Sequence, residues 1–291
     1  MALRENLFHV VQASMIGSIL SNLLLVLGFC FLFGGPFRKE QHGSPFPHVP
    51  WFPRPCVVRF ELPTTPASDK IVLNISRGIA IVLLIIYVAY LVFQLYTNPD
   101  GLKVTPKRAA RDPETPDAPE GEDEDEEDEE PVTLTWVAIA ALALSTLIIA
   151  ICAEFLVGSI EGLSKEAGIS ETFIGIIILP IVGNAAEHVT AVSSAMRNKM
   201  DLSIGVAVGS SHQIALLVTP AIVVMGWILD KPMDLDFGAF STAVLLVSTL
   251  VVNSLIQDGK THWLEGWMLI GAYVIVAVGF YFVPDPTELI R

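Results

Sequence analysis

The chain has 291 residues, 52% of them hydrophobic and only 16% charged, with a mean hydropathy of +0.58; this excludes an ordinary soluble domain and leaves a polytopic membrane protein. The formal net charge of −14 is local, because residues 112–130 hold thirteen acids and no base and leave 17 basic against 18 acidic residues elsewhere. No basic surface remains for nucleic acid, and Cys30, Cys56 and Cys152 have no paired spacing that would imply a disulfide framework or a zinc site.

A membrane-spanning helix needs about 20 predominantly apolar residues to cross about 30 Å of hydrocarbon. Seven runs meet this, at roughly 10–34, 71–97, 133–160, 172–195, 203–229, 237–256 and 263–283. Their unbroken apolar character predicts helices rather than the alternating strands of a membrane barrel. The N-terminal stretch MALRENLFHVVQ has no separate hydrophobic segment followed by a small-residue cleavage site, so the first run is expected to stay in the membrane. Residues 36–70 contain eight prolines and are expected to be an irregular loop. Residues 98–131 end in nine consecutive acids, Glu122 to Glu130, whose repulsion predicts an extended linker. Lys and Arg divide almost evenly between alternate loops and do not fix the orientation.

The sequence repeats itself. IGSILSNLLLV at 16–26 and VGSSHQIALLV at 208–218 align at an offset of 192, with Gly17, Ser18, Leu24, Leu25 and Val26 matching Gly209, Ser210, Leu216, Leu217 and Val218. Ala13 and Gly205 extend each copy into a small-xxx-small pair, the pattern that lets helix backbones approach closely. Duplicated halves around a midplane site are a mark of secondary transporters. The second half has five spans, but the motif GNAAEH that precedes its repeat helix has no first-half counterpart, and a span is lacking where 36–70 stands. Counting seven spans also makes the two repeat helices parallel, whereas two five-helix halves in series would be inverted. These departures predict a partial first half, and a transport-dead fragment or an incomplete gene model is the alternative reading of the chain.

The chemistry concentrates in PIVGNAAEHVTAVSSAM, where Glu187 lies inside an apolar run bounded by Glu171 and Arg197. On a straight helix it is about 24 Å from the first and about 15 Å from the second. A carboxylate there costs at least about 2.5 kcal/mol on insertion scales, so it should face a cavity or an ion. Gly183 and Asn184, four and three residues earlier, fall on the same face, and Pro180 loosens carbonyls a turn before them. Such oxygen donors suit a hard cation such as Ca²⁺, with Glu187 the metal-binding carboxylate; a hydrogen bond between helices is the plainer alternative. Ser210 and Gln213 share a face of the next helix, and Ser18, Ser21 and Asn22 offer a similar face in the repeat. These side chains either complete a coordination shell or stitch helices together. His188 and His212 are lone imidazoles, read first as packing partners. Glu154 is a candidate for lining a vestibule, and no nucleophile elbow, phosphate loop or HExxH motif supports an enzyme.

GNAAEH, VGSSHQIALLVTP, the acidic linker and VNSLIQDGKTHWLEGWMLIGAY together resemble the cation/proton exchanger family, and within it the fungal vacuolar Ca²⁺/H⁺ antiporters, over residues 1–34 and 71–283. The resemblance implies an all-α polytopic membrane protein with the inverted-repeat cation/Ca²⁺ exchanger fold. It divides the chain into a partial first repeat at 1–97 with the Pro-rich insert 36–70, a cytosolic acidic linker at 98–131, and a complete second repeat at 132–291. It implies that Glu187 is the second-half carboxylate with Gly183 and Asn184 beside it, that Ser210 and Gln213 are the neighbouring polar residues, and that 12–22 is the helix following the first-half motif. His212 departs from the family, which more usually has an apolar residue there. The implied activity is secondary antiport of cytosolic Ca²⁺ against vacuolar H⁺ at competing carboxylates in the vacuolar membrane, with Mn²⁺ left open as a second cargo. No cofactor is implied. The partners are membrane lipid and the two ions, and a homo-oligomer is left open.

Overall fold

The computed structural model describes residues 8–34, 41–42, 66–97, 135–257 and 260–282. It has six helices long and apolar enough to cross a membrane: α1 (Phe8–Gly34), α2 (Lys70–Tyr96), α3 (Trp136–Ile160), α6 (Met200–Ile228), α7 (Ala239–Ile256) and α8 (Trp263–Phe282). A seventh span is formed by α4 (Glu171–Gly183) and α5 (Ala185–Met196), bent by 56° where they meet. The expected apolar runs are therefore the spans, within a few residues at each end. The Pro-rich stretch departs from expectation at its end: the residues from Pro66 on are already helical and lead into α2. The rest of that stretch, apart from the two-residue bridge of Gln41–His42 with Lys260–Thr261, and the acidic linker lie outside the described residues.

Local chemistry sets the ends of the second half. Ser170 caps α4 by accepting a hydrogen bond from the Phe173 amide at 3.1 Å. Asn198 turns the chain between α5 and α6 with φ of 65°, a left-handed conformation that asparagine tolerates. The apolar spans are not uniform α-helix. The turns Ser21–Val26, Ile174–Ile178 and Ile214–Val218 are π-helical, and each ends two residues before Gly28, Pro180 or Pro220. A proline in a helix lacks a donor and crowds the carbonyl four residues back, and a wider turn relieves both.

The repeat persists at the level of backbone geometry. The π turn of α1 ends at Val26 and that of α6 at Val218, and α-helix resumes at Leu27 and at Thr219. Both pairs keep the offset of 192 seen in the sequence. The two helices cross antiparallel, since Gly34 packs on Met200 while Asn22 bonds Ser210. The repeat is therefore inverted, and the parallel orientation expected from counting seven spans is not kept.

The buried core lies along α1, where Leu20, Leu24, Leu27 and Cys30 are fully enclosed. Close helix approaches hold it. An added Cβ on Gly17 would run into the carbonyl oxygen of Ile176, and one on Gly266 would meet the backbone of Gly28 and Leu32. Ile176 is four residues before Pro180, so Gly17 leaves room for a carbonyl that proline has deprived of its helical donor. The α6–α7 connection folds back on the bundle, with Met233 and Leu235 buried. The Leu235 amide donates to Ser76 Oγ of α2 at 3.0 Å. Gln12 Nε2 of α1 donates to Asp234 Oδ1 at 2.8 Å and to the Asp234 carbonyl at 3.2 Å. Burial pushes the Asp234 carboxyl above the ordinary aspartate range, a rise that the Asp236 amide hydrogen bond opposes and the nearby Asp236 charge reinforces.

Candidate functional site

The break between α4 and α5 creates the site. Asn184 sits at the corner with φ of −99° and ψ of 15°. Its amide still bonds the Pro180 carbonyl at 3.0 Å, and its carbonyl accepts from the His188 amide at 2.9 Å. This corrects the straight-helix expectation: Gly183, Asn184 and Glu187 do not share the face of one continuous helix, and axial distances measured along a straight rod do not apply. Gly-Asn allows the corner, since glycine adds no side chain and asparagine accepts bridge-region dihedrals. The result is a new helix N-terminus inside the span, with Glu187 in its first turn, where unsatisfied N–H groups and the helix dipole favour an anion.

The π turn of α1 packs against this corner. Asn22, wholly buried, donates from Nδ2 to Ser210 Oγ of α6 at 2.9 Å. Its Oδ1 accepts a long 3.5 Å contact from Asn184 Nδ2, and its side chain faces the Glu187 carboxylate. Glu187 Oε2 is buried and has no hydrogen-bond partner among the described residues. Ser21 Oγ lies 3.1 Å from His188 Nε2, and Ser210 Oγ also donates to the Ala207 carbonyl at 3.2 Å. Three elements thus meet around Asn22: the corner at the start of α5, the middle of α1 and the middle of α6.

Of the residues singled out in the sequence, Glu187, Asn184, Ser21, Asn22, His188 and Ser210 come together. Ser18 is half-buried one turn before Ser21, and Gln213 is exposed on α6. Gly183 is exposed, with no described atom within 4 Å of an added Cβ. Glu154 is exposed on α3, a span with none of its apolar window buried, and stands apart from the cluster. His212 points elsewhere: its Nδ1 lies 2.8 Å from the Val208 carbonyl, and its ring stacks with Tyr90 of α2 at 6.2 Å between centroids. It packs α6 against α2.

One participant was not read from the sequence. Tyr273 of α8 is 4% exposed, and its hydroxyl, turned toward Ser21, finds no hydrogen-bond partner among the described residues. A tyrosine in the middle of an apolar run is the signal that could have found it, because its buried hydroxyl needs a polar neighbour. Among the described residues no three His, Cys, Asp or Glu side chains gather as a metal site would need. The cluster offers one carboxylate, on Glu187, and neutral oxygens on Asn22, Asn184, Ser21 and Ser210. Such a donor set suits hard cations, and neither thiolate nor paired imidazole is present for softer ones.

The chain is similar to known ion exchangers. A family model described as sodium/calcium exchanger protein matches residues 1–96 and 137–282. The vacuolar calcium ion transporter of Schizosaccharomyces pombe is 42% identical over 296 aligned residues, which cover 98% of this chain and 68% of that protein. The Ca²⁺/H⁺ antiporter of Aphanothece halophytica is 40% identical over 296 aligned residues, covering 99% of this chain and 78% of that one. Among solved structures, the Ca²⁺/H⁺ antiporter protein YfkE superposes with a TM-score of 0.72 at 32% identity, over 97% of this chain and 79% of that chain.

Proposed function

The chain belongs to the sodium/calcium exchanger protein family, and from that premise we propose that it is a secondary antiporter exchanging Ca²⁺ for H⁺ at a site centred on Glu187. We assign it to the vacuolar membrane, moving Ca²⁺ out of the cytosol against lumenal H⁺, on the strength of its likeness to the S. pombe transporter. Residues 1–97 hold helices of the first repeat, 98–131 form the cytosolic linker and 132–291 the second repeat.

The observation that carries this reading is Glu187 Oε2, a carboxylate oxygen buried without a hydrogen-bond partner among the described residues. A carboxylate out of water is stabilised by a bound cation or by a proton, and the two exclude each other. Ca²⁺ takes about six to eight oxygens. Asn22, Asn184 and Ser210 offer neutral oxygens around the acid, and water supplies the remainder. The N-terminus of α5 stabilises the ionised acid after either ligand leaves. Exchange follows if the loaded site opens alternately to the two sides, with the Asn184 corner and the three π turns as the places where backbone hydrogen bonds are already loosened.

The test is pH-gradient-driven uptake of radioactive Ca²⁺ into sealed vesicles containing only this chain, beside a Glu187→Gln variant. Uptake abolished by a protonophore and absent in the variant is the expected result. Uptake that survives Glu187→Gln, or none by correctly inserted chain, overturns the reading.

A further inference from the structure

Of the described spans only α2 carries a Lys or Arg: Lys70 opens it, and Arg77 lies about two turns inside. A guanidinium does not shed its proton and carries five N–H donors with no acceptor, so within a span it needs an anion or water. The contact it makes is a stack, with Cζ of half-buried Arg77 standing 5.2 Å from the ring centroid of Trp227 near the end of α6. A ring face attracts the charge but leaves the N–H groups at the guanidinium edge unmet. Arg77 Nε is buried without a hydrogen-bond partner, and among the described residues no carboxylate is ion-paired with Arg77.

The rest of the same helix face identifies the anion. Lys70, Asn74 and Arg77 are spaced by four and three residues and share one side of α2. That side continues through Ile81 and Val88, which are 44% and 60% exposed, while Lys70 and Asn74 are exposed above them. The stripe therefore offers donors over its first two turns and hydrocarbon over the next three, the order in which a phospholipid presents its phosphate and its acyl chain. A free anion would use the upper part alone. Depth agrees with a lipid. The 27 residues of α2 extend about 40 Å against about 30 Å of hydrocarbon, and Arg77 stands about 10 Å below Lys70. Trp227, one residue before the end of α6, is the kind of side chain that sits at headgroup level.

We propose that the seam between α2 and α6 binds one phospholipid, with its phosphate on Arg77, Lys70 and Asn74 and an acyl chain along Ile81 and Val88. The stack on Trp227 fixes the plane of the guanidinium, and its free edge takes two phosphate oxygens as a fork. Asn74 donates its amide to the headgroup, and Lys70 adds a point charge at the water side. The lipid thereby bridges two spans that already pack together along this seam. The site makes no use of Glu187 and stands or falls independently of the exchange reading.

The experiment counts bound lipid. The full chain, purified in a phosphate-free detergent, is titrated separately with dioleoylphosphatidylglycerol, with dioleoylglycerol, which has the same tails and no phosphate, and with inorganic phosphate, and native mass spectrometry counts the ligands retained. One phosphatidylglycerol should bind more tightly than further copies of that lipid, than dioleoylglycerol and than inorganic phosphate, by about tenfold or more in each case. Arg77→Gln should weaken that first lipid by about tenfold or more, and Arg77→Lys, which keeps the charge and loses the fork, should fall between the two. A ladder of equal lipid affinities means boundary lipid without a site, dioleoylglycerol bound as tightly means a seat for tails only, and inorganic phosphate bound as tightly means a free-anion site; each overturns the proposal, as does an affinity unchanged in Arg77→Gln. The three ligands are compared on the native chain, so the proposal remains falsifiable even where a variant fails to fold.

Discussion

Asn22→Leu keeps the approximate size of a wholly buried side chain and removes both its polar ends. The Ser210 hydrogen bond at 2.9 Å, taken at the average for bonds between membrane helices, contributes about 0.6 kcal/mol. The Glu187 carboxylate that Asn22 faces is left against leucine, and a buried polar group without a partner costs about 1–3 kcal/mol. The Asn184 contact at 3.5 Å is too long to add much. The substitution should therefore destabilise the chain by about 1.6–3.6 kcal/mol, most of it through Glu187. The assay is a double-mutant cycle of Asn22→Leu with Glu187→Gln, read by denaturant unfolding of purified protein in detergent. A neutral amide at 187 leaves less for Asn22 to stabilise, so the double variant should fall short of additivity by about 1 kcal/mol or more. Additivity within about 0.5 kcal/mol would refute the reasoning, because independent sites behave that way.

Other expectations follow from particular contacts. Gly17→Ala pushes a methyl group into the Ile176 carbonyl and should cost about 1–3 kcal/mol of stability, whereas Gly158→Ala on α3, with no described neighbour within 4 Å, should be neutral or stabilising by up to about 1 kcal/mol; melting temperatures of the two variants compare them directly. Asp234 has its carboxyl pKa raised in the folded state, so its contribution to stability is fully present below the ordinary aspartate pKa and is lost as pH rises through the higher folded value. Asp234→Asn keeps an oxygen for Gln12 Nε2 and the Asp236 amide, and should flatten that fall in a series of unfolding curves taken across the acid range. An unchanged pH profile would remove Asp234 as its source.

The spans were legible because hydrocarbon demands long apolar runs, and each run between 10–34 and 263–283 is helical at the expected place, the run 172–195 as two helices bent by 56°. Glu187 stood out for the same reason, as an acid where the surroundings are apolar. The repeat was also visible in the residues around Gly17 and Gly209, but its direction was not: crossings counted along the chain gave parallel helices, and only the packing of Gly34 on Met200 with Asn22 on Ser210 showed the inversion. The corner at Asn184 escaped because Gly-Asn within an apolar run fits both a continuous helix and a broken one. Asn22 looked equal to Ser18 and Ser21 on the sequence. Its central place depends on a π turn, which shifts the register of side chains around the helix in a way that 3.6-residue spacing does not anticipate.

Competition between Ca²⁺ and H⁺ for one buried acid is most directly tested by proton release. Purified chain in weakly buffered detergent solution, with a pH-sensitive dye, is titrated with Ca²⁺ near the pH at which half the sites are protonated. Protons released in step with Ca²⁺ binding by the native chain, and no release from Glu187→Gln, are the predicted results. Ca²⁺ binding without proton release, or release undiminished in Glu187→Gln, would contradict a shared site at Glu187.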